Sequence, residues 1–186
     1  MQVQKTTNQN FGARFISPAN IKYKSPNGKW EKIGVSFIKF EPNKKEDVKI
    51  LNEIRDIWEG KNLSSAIVDE AEILRGKAHI YGLTSQDKNF ENINPRQILG
   101  LMTTDKIKKN ENIEVFKIGT NPLFAYEQNH KDRTFKHIAK SMVETLKSFV
   151  GSNSKNSEVF SRYAESESEA KFLKRIGLEP REKNFM

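Results

Sequence analysis

Three successive stretches decide the fold: Ile113-Glu-Val-Phe-Lys-Ile118, Thr134-Phe-Lys-His-Ile-Ala-Lys-Ser-Met-Val-Glu-Thr-Leu-Lys-Ser-Phe-Val150, and Val159-Phe-Ser-Arg-Tyr-Ala164. The first and third are short, β-branched and aromatic, as strands are. In the second, Ile138, Met142, Leu146 and Phe149 recur at helical spacing, and Ala139, Val143 and Val150 widen the stripe. Thr134 is the expected cap. A strand, a long helix and a strand in that order predict a right-handed crossover joining two parallel neighbours.

Working backward, Ile98-Leu-Gly-Leu-Met102 and Ala78 to Leu83 read as strands, with a charged turn at Asp105 to Asn112 and a polar loop at Ser85 to Arg96. The stretch Ser64 to Arg75 has no firm assignment. Asn43-Lys-Lys-Glu46 reads as a capping box. Behind it, Val48, Leu51, Ile54 and Trp58 mark one helix face, Ile50 and Ile57 widen it, and Gly60 is the expected stop. Ile21 to Lys24, the turn Ser25-Pro-Asn-Gly28 and Lys29 to Phe40 predict a hairpin. Residues 1–15 read as a loose arm.

Working forward, Gly151 to Ser157 reads as a flexible loop. Ser166-Glu-Ser-Glu169 is a second capping box, opening a helix through Ala170, Leu173 and Ile176. Gly177-Leu178 reads as its Schellman ending. The sum is a mixed α/β sheet with helices on its faces.

This order resembles the GNAT superfamily of acyl-CoA N-acyltransferases. Ile98-Leu-Gly100 fits its first strand motif, and Glu114-Val-Phe-Lys-Ile-Gly-Thr-Asn-Pro122 fits its second. Lys136-His-Ile-Ala-Lys-Ser-Met-Val-Glu-Thr-Leu146 fits the cofactor loop and helix in register, and Phe172-Leu-Lys-Arg-Ile-Gly-Leu178 fits the closing helix. The likeness spans roughly residues 33–180, which divides the chain into an N-terminal arm and hairpin start (1–32) and an acyltransferase-like domain (33–186).

The resemblance implies a mostly antiparallel sheet with helices on both faces and a parallel strand pair at a cofactor cleft. It implies acetyl-CoA as co-substrate and an amine of a small molecule or protein as acceptor. The pantetheine arm would pair with the strand end Ile118-Gly119-Thr120, with Gly119 at a bulge. The pyrophosphate would sit at the helix start, near Arg133, Lys136, His137, Ile138 and Ala139, since helix N–H groups and the dipole favour anions. Glu114 stands in the register of the general base. The family's thiol-protonating Tyr falls at Leu173, so Tyr163 or Tyr126 would have to substitute. His137 replaces the first loop glycine, Thr134 stands where Arg or Gln is usual, and the loop from Pro122 to His137 is longer than the family pattern. Those departures keep a second reading open: a noncatalytic module that binds CoA or a polyanion such as RNA.

Composition bounds the rest. The 186 residues suit one domain, and 35% apolar content with 12 Phe and 2 Trp is too aromatic for a disordered chain. Without cysteine there is no disulfide, thiolate metal site or Cys nucleophile, and 3 His make a His-built metal site an unpromising candidate. No apolar run is long enough to cross a bilayer, and Met1 to Asn10 is polar, so a cytoplasmic protein without membrane attachment is expected. The net charge of +8 is spread from Lys5 to Lys183 without a block, and no aromatic–basic stripe of an RNA-recognition sheet is visible. Asp69, Glu70 and Glu72 are candidates for attracting a cationic amine.

Overall fold

The computed structural model describes residues 13–58, 78–124, 131–153 and 157–183. Five long strands come first: β1 (Arg14–Lys24), β2 (Trp30–Phe40), β3 (Ala78–Thr84), β4 (Ile98–Asp105) and β5 (Ile113–Thr120). Helix α1 (Lys45–Trp58) lies between β2 and β3. A two-residue β6 (Phe135–Lys136), helix α2 (Ile138–Asn153), β7 (Val159–Ala164), helix α3 (Glu167–Ile176) and β8 (Pro180–Lys183) complete the chain. The sheet runs β6-β1-β2-β3-β4-β5-β7-β8. Its pairings are antiparallel except at β5–β7 and β7–β8, which are parallel. The expected mixed, mostly antiparallel sheet with a parallel pair is therefore observed. None of the described helices is long and apolar enough to cross a membrane.

Strand alternation sorts the core into two layers. Val35, Phe37, Tyr81, Leu83, Ile113 and Val115 face α2 and α3 and pack on Met142, Val143, Leu146 and Leu173. Ile38, Phe40, Ile80 and Leu101 face the other way, onto Ile50, Leu51, Ile54 and Trp58 of α1. The 14–32 segment belongs to this sheet, because β1 and the start of β2 form its longest antiparallel pair. That pair is closed by the turn at Ser25–Gly28, where Gly28 N–H donates to Ser25 O at 2.8 Å. β1 carries a bulge between Phe15 and Ser17 and a proline at position 18.

Several boundaries differ from the sequence expectations for physical reasons. At α1, Asp47 rather than Glu46 reaches back, its Oδ2 accepting from Glu41 N–H at 2.6 Å, so the Asn43–Glu46 box does not form. Thr134 does not cap α2. The backbone first forms β6, with Tyr23↔Phe135 and Lys22↔Lys136 pairing, and the helix begins only at Ile138. Gly151 continues α2 instead of opening a loop. At α3 the box forms in part: Ser166 Oγ accepts from Glu169 N–H, but Glu169 bonds Glu165 N–H. Gly177, at φ +91°, supplies the left-handed residue of the Schellman ending, and Leu178 N–H returns to Leu173 O at 2.9 Å. The expectations for Gly60, for Ser64 to Arg75 with its acidic residues, for Tyr126 and for residues 1–12 of the arm lie outside the described residues, whereas Arg14 and Phe15, also read as arm, open β1 because they pair with Lys39 and Ile38.

Candidate functional site

β5 and β7 pair at only two positions, Ile113↔Val159 and Glu114↔Phe160. Just beyond, the β4–β5 ladder slips: Thr104 pairs with Val115 but Thr103 pairs with Lys117, so Phe116 is an extra residue. A bulge bends its strand and increases its twist. Beyond Glu114 β5 has no ladder partner in β7, and Ile118, Gly119 and Thr120 keep β4 as their partner. The parallel pair closes at one end of the sheet and opens toward the other. The bulge lies at Phe116, not at Gly119 as the sequence suggested.

The open end is anchored by a residue that the sequence reading missed. Asn121 is fully buried; its Nδ2 donates to Ile98 O at 2.8 Å and its Oδ1 accepts from Leu123 N–H at 3.0 Å. At β1, Phe135 packs on Phe124 and Tyr23, and Lys24 N–H donates to Thr134 O at 2.8 Å. Gly100 lets α2 settle onto β4. A Cβ there would stand 2.8 Å from Met142 Sδ and 2.9 Å from Ile138 Cγ2.

The start of α2 lies within the electrostatic reach of several cations. His137 precedes the helix, its carbonyl accepting from Ser141 N–H at 2.8 Å. Its φ is +68°, the left-handed conformation that glycine adopts without strain. Partial burial lowers the pKa of its ring, and Lys22, Lys140, Arg133 and Lys136 lower it further. Four positive charges thus act on the residue before the helix, Lys140 being also paired with Glu144 at 3.6 Å, and a helix start favours anions. Arg133 Nε donates to Phe135 O at 3.0 Å, which orients its guanidinium; its own pKa is lowered by burial and by Arg175. Lys136 Nζ rests 3.9 Å from the Trp30 ring centroid. Ile138 and Ala139 are buried at the first turn, so they offer backbone rather than side chain. The donor set fits a phosphate ester.

Glu114 sits at the closed end of the pair, its side chain 6% exposed, and Arg162 Nη2 meets its Oε2 at 2.7 Å. Burial raises its pKa; Arg162 opposes the rise, and Asp105 adds to it. Tyr163 is 45% exposed on β7. As the strand neighbour of Arg162 it alternates to the other face, so it is turned away from the side on which Arg162 holds Glu114. Leu173 is 5% exposed in the core beneath α2 and α3 and has no proton to give. Lys22, Lys140 and Arg162 were not singled out from the sequence. The β1–β6 and β5–β7 registers bring Lys22 and Arg162 to these places, while Lys140 stands in the first turn of α2 itself.

No family model, no curated protein and no solved structure matches the chain.

Proposed function

We propose that the chain is an N-acyltransferase of the GNAT type, moving an acetyl group from acetyl-CoA to an amine of a small molecule or protein. One observation carries this reading. The parallel pair β5–β7 opens at a bulge, and the opening leads toward a helix start surrounded by Lys22, Arg133, Lys136 and Lys140. The half-buried strand end at Ile118–Thr120 would take the amide-bearing pantetheine arm, and the basic turn before α2 would take the pyrophosphate. The thioester would then lie near Phe116, two residues from Glu114. The acceptor amine attacks the carbonyl, Glu114 takes its proton directly or through water, and the thiolate of CoA leaves. Tyr163 is at most an auxiliary acid. A cytoplasmic setting, where acetyl-CoA is made and used, goes with this reading.

A second reading is a noncatalytic CoA-binding module. Leu173, buried where the family has its acid, and the Arg162 clamp on Glu114 favour it.

The test is a calorimetric titration of the full chain with acetyl-CoA. Wild type binds, and Arg133→Glu with Lys136→Glu weakens binding at least tenfold, since two attractions become repulsions. Unchanged affinity in the double variant, or no binding by wild type at millimolar ligand, overturns the proposal. Binding without turnover on any amine selects the second reading.

A further inference from the structure

The opposite end of the sheet carries a second concentration of charge. Here β2 ends, β3 begins and β4 ends, as the pairs Phe40↔Ile80 and Ala78↔Asp105 show. Two clefts open at this end, of about 800 Å³ and about 400 Å³. Both are lined by Lys39 and His79, so they adjoin. Lys44, Lys45 and Lys106 line the first; Arg14, Lys108 and Lys109 line the second. Glu41 is the one carboxylate among the lining residues of either cleft, and Lys39 already holds it at 3.3 Å.

The floor differs from the rim. The second cleft is also lined by the half-buried apolar side chains Ile16, Ile107 and Phe149, with the buried Tyr81 behind them. Tyr81 is fixed by stacking on Phe37 at 5.1 Å. His79 joins floor to rim. Its Nδ1 lies 3.5 Å from Ile107 N–H, which can only donate, and 3.2 Å from Tyr81 OH. Those contacts assign the ring proton to Nε2 and leave it as the donor of a neutral imidazole.

The geometry points to a groove for single-stranded nucleic acid at this end of the sheet, its backbone following the cationic rim and its bases lying on the apolar floor. Spaced cations over an apolar and aromatic platform are what such a strand requires. A single small anion would engage only one of the two clefts. An acidic peptide would find the charges but would have no flat rings for the floor. The groove and the turn before α2 are at opposite ends of the sheet, so this inference does not depend on the acyltransferase reading.

The experiment is fluorescence anisotropy of labelled oligouridylate with the full chain, across about 50 to 200 mM salt. Lys106→Glu with Lys109→Glu is compared with Lys171→Glu with Lys174→Glu, which changes net charge equally on the outer face of α3. The groove variant is expected to bind at least tenfold more weakly. Its log–log salt slope should fall by about 1.4, the value for two lost phosphate contacts on a single strand. The control should stay within about twofold. In wild type, oligouridylate should shift the His79 and 106–109 resonances, and excess CoA should not displace it. Circular dichroism checks folding, and Lys106→Gln with Lys109→Gln replaces the Glu variant should that unfold. Equal weakening by both double variants, displacement by CoA, polyglutamate binding as tightly as the oligonucleotide, or no binding by wild type would each overturn the proposal.

Discussion

Arg162 on β7 and Glu114 on β5 meet at 2.7 Å across the short parallel ladder, so an exposed cation holds a buried carboxylate. Under the acyltransferase reading, Glu114→Gln keeps the shape and loses proton acceptance. Turnover on a screened acceptor amine should fall about 10²- to 10⁴-fold with little change in acetyl-CoA affinity. Full turnover across pH 6–9 removes Glu114 from the role of base. Arg162→Ala should move the acid limb of the pH–rate profile upward, because it removes the largest influence opposing the raised carboxyl pKa.

Gly100→Ala should destabilise the fold by about 1–3 kcal/mol, the usual cost of overpacking. The added methyl would meet Met142, Ile138 and, at 3.1 Å, the Gly119 carbonyl. Chemical denaturation measures the loss. Met142→Ala alone should cost about 2–5 kcal/mol, and the double variant should lose less than the sum of the two, because the contact nearest the new methyl is gone.

At His137 the backbone rather than the ring sets the expectation. With φ at +68°, glycine should be accepted without loss of stability, whereas His137→Val should cost about 1–3 kcal/mol. Thermal melts of the two variants decide it. A valine variant as stable as wild type would mean that the helix start does not need the left-handed conformation.

His79 should titrate at about 4, held down first by burial, then by Lys39, while Glu41 pulls the other way. Its folded pKa lies below the unfolded value, so its contribution to stability is present above about pH 6.5 and is lost as the pH falls toward 4. The contribution is about 3 kcal/mol as an upper bound, reduced by solvent screening. His79→Gln should flatten the stability profile between pH 4 and 6.5. NMR titration of the His79 ring reads the pKa directly, and a value near 6.5 refutes the assignment.

Local patterns announced the elements but not their meeting points. Ile138, Met142 and Leu146 predicted α2 because a helix face repeats within its own segment, and Gly177-Leu178 announced a stop that needs only local geometry. The crossover rule then made β5 and β7 parallel neighbours. The start of α2 was misplaced because Phe135 and Lys136 pair with β1, more than a hundred residues away, and no local signal reports such a partner. β8 escaped notice for the same reason, since Pro180 to Lys183 is a strand only because β7 offers it an edge. At the candidate site, Arg133, Lys136 and His137 were legible from their place before the helix. Lys22 and Arg162 arrive through tertiary pairing, as do the contributors to the basic groove, which come from five separate segments.

Among the described residues β6 and Thr134 before it cover only Lys22 to Lys24, which leaves most of β1 as the rim of the sheet. Such a rim is a template on which a second chain can polymerise strand to strand. β1 is poorly suited to that use: Pro18 has no N–H to offer, and the bulge between Phe15 and Ser17 breaks the spacing that an incoming strand would have to match. The far rim, β8, is four residues long and carries Arg181 and Glu182. Both margins are thus guarded against amyloid-like stacking, one by an imino acid and a kink, the other by brevity and charge.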